Sequence, residues 1–251
     1  MHDVNIQRRP EVGALILGLS LIIATLIASR MFYETKTLGN KVAVTGSAEK
    51  MVTSDVVKWN GVITQTVAAD GLKTGNEVMR QHLTAITTLL KQKGVDEKEI
   101  TLQPLNVSPT YANNPDGSTN MNSIAGYTLT QSLTIESSKV DLIKDLSTQA
   151  PQTFLDQNIL FTTQYVEYYY SKLADLKLDL LSAATKNAKE RAEKIVQSTG
   201  GTLGPIRSAD TGVFQVTAVN STDISDYGSY DTSSIEKKVT AVVHTEFGLN
   251  S

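Results

Sequence analysis

Tyr127-Thr128-Leu129-Thr130-Gln131-Ser132-Leu133-Thr134-Ile135-Glu136 alternates side-chain character at every step. A period of two sets Tyr127, Leu129, Gln131, Leu133 and Ile135 on one face of a strand. Thr128, Thr130, Ser132, Thr134 and Glu136 fall on the other. One apolar and one polar face is the pattern of an antiparallel sheet that buries a single side. Just upstream, residues 112–123 (Ala-Asn-Asn-Pro-Asp-Gly-Ser-Thr-Asn-Met-Asn-Ser) are nearly all turn formers. They predict a mobile hairpin loop joining this strand to one from about Glu99 to Tyr111.

Working further back, Val42 and Val44 alternate with Ala43 and Thr45, and a second alternating stretch runs from Val52 to Val67 after Gly46-Ser47-Ala48. Val57, Trp59, Gly61, Ile63 and Val67 share its apolar face. Asp70 is positioned to cap a helix carrying Leu72, Met79, Leu83, Ile86 and Leu90, and Gly94 to stop it. Downstream, a short helix from Lys139 to Ala150 is expected to end before Pro151. A strand over Asn158–Tyr165 follows. The longest helix, about Tyr170 to Thr199, carries the stripe Leu173, Leu176, Leu180, Ala184, Ala188, Ala192 and Ile195. Its alanine half permits close approach to a sheet or another helix, and Gly200-Gly201 ends it. Strands at about 204–219 and 235–247 flank a polar loop from Asn220 to Ser234. The order predicts an α+β fold, an antiparallel-rich sheet with helices packed on it.

At the N-terminal end, Val12 to Ser29 holds 18 residues without a charge, between Arg8/Arg9 and Arg30. As a helix this run reaches about 27 Å, close to the hydrocarbon thickness of a bilayer. It is apolar on every side, so it has no face for water. A cleaved secretory signal is the competing reading. Against it, Leu26 occupies the small-residue position of the best cleavage site and the run exceeds the usual signal core. The expected organisation is a cytoplasmic tail at 1–11, a transmembrane signal-anchor helix at 12–30, a linker at 31–40 and an extracytoplasmic domain at 41–251. Arg8 and Arg9 orient the anchor with the tail in the cytoplasm.

Beyond residue 30 the chain carries 20 basic against 24 acidic residues. A mildly acidic domain without a basic cluster argues against nucleic acid as a partner. The chain has no Cys, which excludes disulfide staples, thiolate zinc sites and thiol catalysis together. His2, His82 and His244 are far apart, and no nucleophile elbow or phosphate-binding loop is present. No catalytic residue, cofactor or metal site is expected. The polar loops at Asn113–Asn120 and around Asp223, Asp226 and Asp231 offer oxygens to a hard cation, but neither has the spacing of a calcium loop. Tyr165, Tyr168, Tyr169 and Tyr170 form a cluster at a strand-to-helix junction and are the candidate interface.

Two segments carry a family resemblance. One is Val42-Ala43-Val44-Thr45-Gly46-Ser47-Ala48-Glu49 with Val52-Thr53-Ser54-Asp55. The other runs from Ala183-Ala184-Thr185-Lys186-Asn187-Ala188-Lys189-Glu190-Arg191-Ala192-Glu193 through Gly200-Gly201-Thr202-Leu203-Gly204-Pro205-Ile206. Over roughly residues 40–248 the chain resembles the SIMPL-domain family, which includes bacterial periplasmic immunogenic proteins. The resemblance implies β-α-β-β elements, homo-oligomers that are ring- or channel-like in some members, and a loose link to envelope integrity and oxidative stress. It implies no enzymatic activity. Many members are secreted by a cleaved signal, whereas an uncleaved anchor here would tether the chain to the bacterial inner membrane. The expected function is therefore non-enzymatic self-assembly in the cell envelope. The alternatives are a monomeric ligand-binding or enzymatic domain, or an accessory subunit of another membrane complex.

Overall fold

The computed structural model describes residues 10–37 and 40–250, with side chains described at 13–32 and 40–250. In chain order the elements are α1 (Pro10–Thr37), β1 (Lys41–Thr53), β2 (Val56–Ala68), α2 (Leu72–Gln92), β3 (Ile100–Leu102), β4 (Asn106–Asn113) and β5 (Thr119–Ser137). After these come α3 (Val140–Leu155), β6 (Phe161–Tyr169), α4 (Leu173–Ser198), β7 (Thr202–Thr211), β8 (Gln215–Ala218), β9 (Ser229–Tyr230) and β10 (Glu236–Asn250). The architecture is α+β: β8 and β9 pair in parallel, whereas β10 with β7 and β8, β5 with β2, β3 and β4, and β2 with β6 pair antiparallel.

α1 contains an apolar span, Gly13–Phe32, with mean hydropathy 2.1 and no buried residue. Its leucines and isoleucines from Leu15 to Ile27 are half or more exposed among the described residues. The helix continues to Thr37, through most of the expected linker. Residues 1–9 of the expected tail at 1–11, and linker residues 38 and 39, lie outside the described residues.

The remaining contacts fall into two units: Met1–Ala48 with Leu181–Gly212 and Val242–Ser251, and Glu49–Leu180 with Val213–Ala241. In the larger unit, one sheet has the order β3-β5-β2-β6, with β4 also on β5. Its buried face carries Val57, Trp59 and Ile63 of β2 and Leu129, Leu133 and Ile135 of β5, as their alternation predicts. α2 and α3 cover that face with Met79, Ile86, Leu90, Ile143, Leu146 and Phe154. Gly61 leaves room for the Phe161 ring to lie across β2, where Phe161 meets Trp59 and Phe154 edge-on at 5.7 and 5.2 Å.

Several expected boundaries move, each for a local reason. α2 is capped at Gly71 with no side-chain hydrogen bond, so Asp70 does not cap it. Pro151 lies inside α3. It removes one amide donor, and the Ser147 carbonyl one turn earlier accepts from Thr163 Oγ1 of β6 at 3.2 Å instead. α3 ends at Leu155, and the turn after it reaches Asn158, whose φ of 59° is left-handed; Ile159 N–H closes that turn on the Phe154 carbonyl at 2.9 Å. Asn158 therefore belongs to the turn after a helix rather than beginning a strand. The polar stretch 112–123 is mostly strand, because β4 and β5 extend into it and leave a turn at 114–118. Asn114 N–H to Ser118 O (2.7 Å) and Gly117, at φ 83°, close that turn.

In the smaller unit β7 pairs with β10 from Val243↔Thr211 to Asn250↔Thr202, and β1 also lies beside β10. β1 runs without a break through Gly46-Ser47-Ala48. The α4 stripe is buried at Leu176, Leu180, Ala184, Ala188, Ala192 and Val196, while Ile195 is exposed. A step of four from Ala192 reaches Val196, which takes the inward place expected of Ile195. Gly200, at φ 78°, with Gly201 N–H on the Val196 carbonyl, ends α4 as its two glycines predict.

Candidate functional site

The four clustered tyrosines separate into different environments. Tyr168 is part of the core of the larger unit, because alternation on β6 turns it inward with Val166, and a register shift opposite Asn60 and Gly61 brings Phe161 to the same face. Tyr169 stacks on Tyr230 of β9 at 6.1 Å and its hydroxyl donates to Glu167 at 2.9 Å. Burial, and then the Glu167 carboxylate, push its phenol up to about 12. Tyr170 is half-buried. Only Tyr165 stays broadly open, at 45% exposure. Tyr168 and Tyr169 thus hold the chain's own elements together, and the candidate interface contracts to Tyr165.

Beside them lies an arrangement that the sequence reading missed. Lys237 is fully buried, and its Nζ donates to the carbonyls of Asp231 and Ser234, both at 2.6 Å. The Asp231 carboxylate is 3.7 Å away and accepts from Ser233 and Ser234. Burial acts to raise the Asp231 pKa, but the serine hydrogen bonds and Lys237 outweigh it and hold the group at about 2. The clamp fixes the segment whose Thr232 carbonyl accepts from Tyr168 N–H at 2.7 Å. The loop at 220–234 is thereby fastened to the end of β6. Parity would have revealed Lys237, since it shares the inward face of β10 with Val239, Ala241 and Val243.

Of the acidic loop residues, Asp116, Asp223 and Asp231 are engaged locally. Asp116 accepts from Ser118 N–H and Oγ at 2.9 and 2.6 Å, and Asp231 is held as above. Among the described residues no three His, Asp or Glu side chains converge as a metal set.

In the smaller unit, the open face of the sheet carries a polar row. Thr45 Oγ1 and His244 Nδ1 are 2.9 Å apart, Asp210 lies across from His244, and Ser208 from Glu246. Lys41 Nζ donates to Glu246 at 2.6 Å and holds that carboxyl below its usual range. Thr45, Ser208, Asp210, His244 and Glu246 line an open cleft of about 250 Å³. Together these side chains present hydrogen-bonding groups to the open side of the sheet, a polar shelf.

The third surface is the sheet edge. Among the described residues β3 and β4 lie along one side of the larger unit's main sheet and β6 along the other. Residues 106–110 of β4 and 121–125 of β5 are all exposed; 106–110 pair with 126–130, where Gly126 and Leu129 are buried, and Ile124 pairs with Tyr111 nearer the turn, so β4 and the start of β5 make a largely exposed ribbon. Val107, Met121 and Ile124 stand on it at 41, 68 and 43% exposure. An apolar edge of this kind is a template for pairing with another chain.

No curated protein matches the chain significantly. The family model described as SIMPL, protein of unknown function (DUF541), matches residues 42–247, which takes in both units and leaves out the apolar span. The chain belongs to the SIMPL family.

Proposed function

We propose that this chain is a non-enzymatic, single-pass envelope protein of the bacterial inner membrane that works by assembling with copies of itself. Its SIMPL domain would lie on the extracytoplasmic side, in the service of envelope integrity or stress tolerance. The exposed apolar span Gly13–Phe32 supports the anchor. The observation that carries the assembly reading is the β4–β5 ribbon, whose Val107, Met121 and Ile124 meet water on an open edge. β6, with Tyr165, forms the opposite edge of the same sheet. Two unlike edges on one sheet suit head-to-tail pairing, the geometry that closes into rings.

The test is the mass of full-length protein in mild detergent, by size exclusion with light scattering. A discrete high-order species is expected. Met121→Lys with Ile124→Lys places charge on the exposed ribbon without touching the core, and it should shift that species toward monomer. A wild-type monomer at all concentrations overturns the assembly reading.

A further inference from the structure

The end of the smaller unit where the chain enters from α1 carries an apolar cleft separate from the polar shelf. The start of β1 (Asn40, Lys41, Val42), the last turn of α4 (Ile195, Val196, Thr199), Gly201 and the last residues of β10 (Leu249, Asn250) line it, around about 480 Å³. Ile195 is 50% and Leu249 38% exposed, so two large aliphatic side chains face water at its rim. Leu249 N–H bonds to the Asn40 carbonyl at 3.1 Å, which fixes the ends of β1 and β10 together. Lys194, next to Ile195 and exposed, is in no ion pair among the described residues, although Lys186–Glu190 and Lys189–Glu193 pair along the same helix.

Chain length says what lies opposite this cleft. The apolar span ends at Phe32, α1 continues to Thr37, and Asn40 already lines the cleft. Five helical residues rise about 7.5 Å, and the next three can reach at most about 10 Å. The cleft therefore sits within roughly 20 Å of the hydrocarbon boundary, of which the headgroup layer takes up about 6 Å. An aliphatic rim with a cation beside it is the chemistry of a surface resting at the acyl–headgroup boundary.

We infer that this cleft rests on the bilayer and takes up a phospholipid of the membrane that holds α1, its upper acyl chain against Ile195, Val196 and Leu249 and its phosphate near Lys194. This rests on the anchor reading and adds a second membrane contact to it.

The chain has no Cys, so single labels are unambiguous. Full-length Ile23→Cys, Ile195→Cys and Asp210→Cys, each carrying an environment-sensitive fluorophore, would be reconstituted in phosphatidylcholine–phosphatidylglycerol vesicles. Lipids bearing nitroxides at shallow and deep acyl positions serve as quenchers. The expected result is deep quenching at Ile23, shallow quenching at Ile195, and several-fold less at Asp210. Quenching at Ile23 with none at Ile195 overturns the inference and leaves the anchor standing. No quenching at Ile23 removes the anchor and the inference with it. Equal quenching at Ile195 and Asp210 overturns the cleft as a specific contact. Shielding of Ile195 from aqueous iodide without lipid quenching assigns the cleft to protein, and also overturns it.

Discussion

Gly46 of β1 and Ala188 of α4 approach so closely that a Cβ on Gly46 would stand 2.6 Å from the Ala188 Cβ, and it would also press on the Ala184 carbonyl. Real Cβ atoms do not come that near, so strand and helix meet here through backbone. Gly46→Ala should destabilise the protein by about 3 kcal/mol, the upper end for overpacking, read as a lower urea midpoint. Adding Ala188→Gly should restore only part of this, because the Ala184 carbonyl is backbone and remains in place.

Thr163 joins two groups that would otherwise be orphaned. It accepts from Trp59 Nε1 at 3.1 Å and donates to the Ser147 carbonyl that Pro151 leaves free. Thr163→Val keeps the shape and removes both bonds. Two buried groups without partners cost about 2–4 kcal/mol together, whereas Thr163→Ser should retain most of the stability. Trp59 is the chain's only tryptophan, so its fluorescence follows the unfolding directly.

How much of this was legible in the sequence depends on which interactions are local. Alternation placed Trp59, Ile63, Leu133 and Ile135 on the buried face, and the small residues of α4 announced a close approach before its partner was known. Gly94 and Gly200-Gly201 marked true helix ends because a left-handed residue is a local requirement. Pro151 misled because its cost is met by Thr163, a residue from another element. Residues 112–123 misled because polar composition describes exposure, and both strands of the ribbon are exposed. The four tyrosines are neighbours in sequence, but which of them faces outward depends on strand parity, on the register shift in β6 and on Tyr230, sixty residues later.

The Lys237–Asp231 clamp gives a pH dependence with a defined sign. The carboxyl of Asp231 falls from its ordinary 3.8 to about 2 in the fold. A depressed acid stabilises the folded form above its unfolded pKa and loses that contribution as it protonates. Its contribution should be complete above about pH 4 and fade between about 4 and 2. Asp231→Asn should flatten the stability profile in that window. Lys237→Ala should cost about 3 kcal/mol or more at neutral pH, since it strands buried acceptors. Both variants are to be measured by urea unfolding across pH.

Tyr165 and Tyr168 lie three residues apart on β6 and should behave in opposite ways. Tyr168→Ala opens a cavity in the core of the larger unit and should lower stability by about 3 kcal/mol or more. Any change of assembly in that variant would follow from unfolding and report nothing about the interface. Tyr165→Ala removes an exposed ring and should alter stability by less than about 0.5 kcal/mol. If β6 is one edge of a head-to-tail pairing, Tyr165→Ala should still lower the oligomer mass at fixed concentration, and the ribbon variant should do the same from the other edge. Mixing the two variants then discriminates between pairing geometries. Each keeps one intact edge, so a head-to-tail contact re-forms between unlike copies and stops at a dimer. An isologous pairing of ribbon with ribbon would instead leave Tyr165→Ala fully assembled, and light scattering on the mixture separates these outcomes.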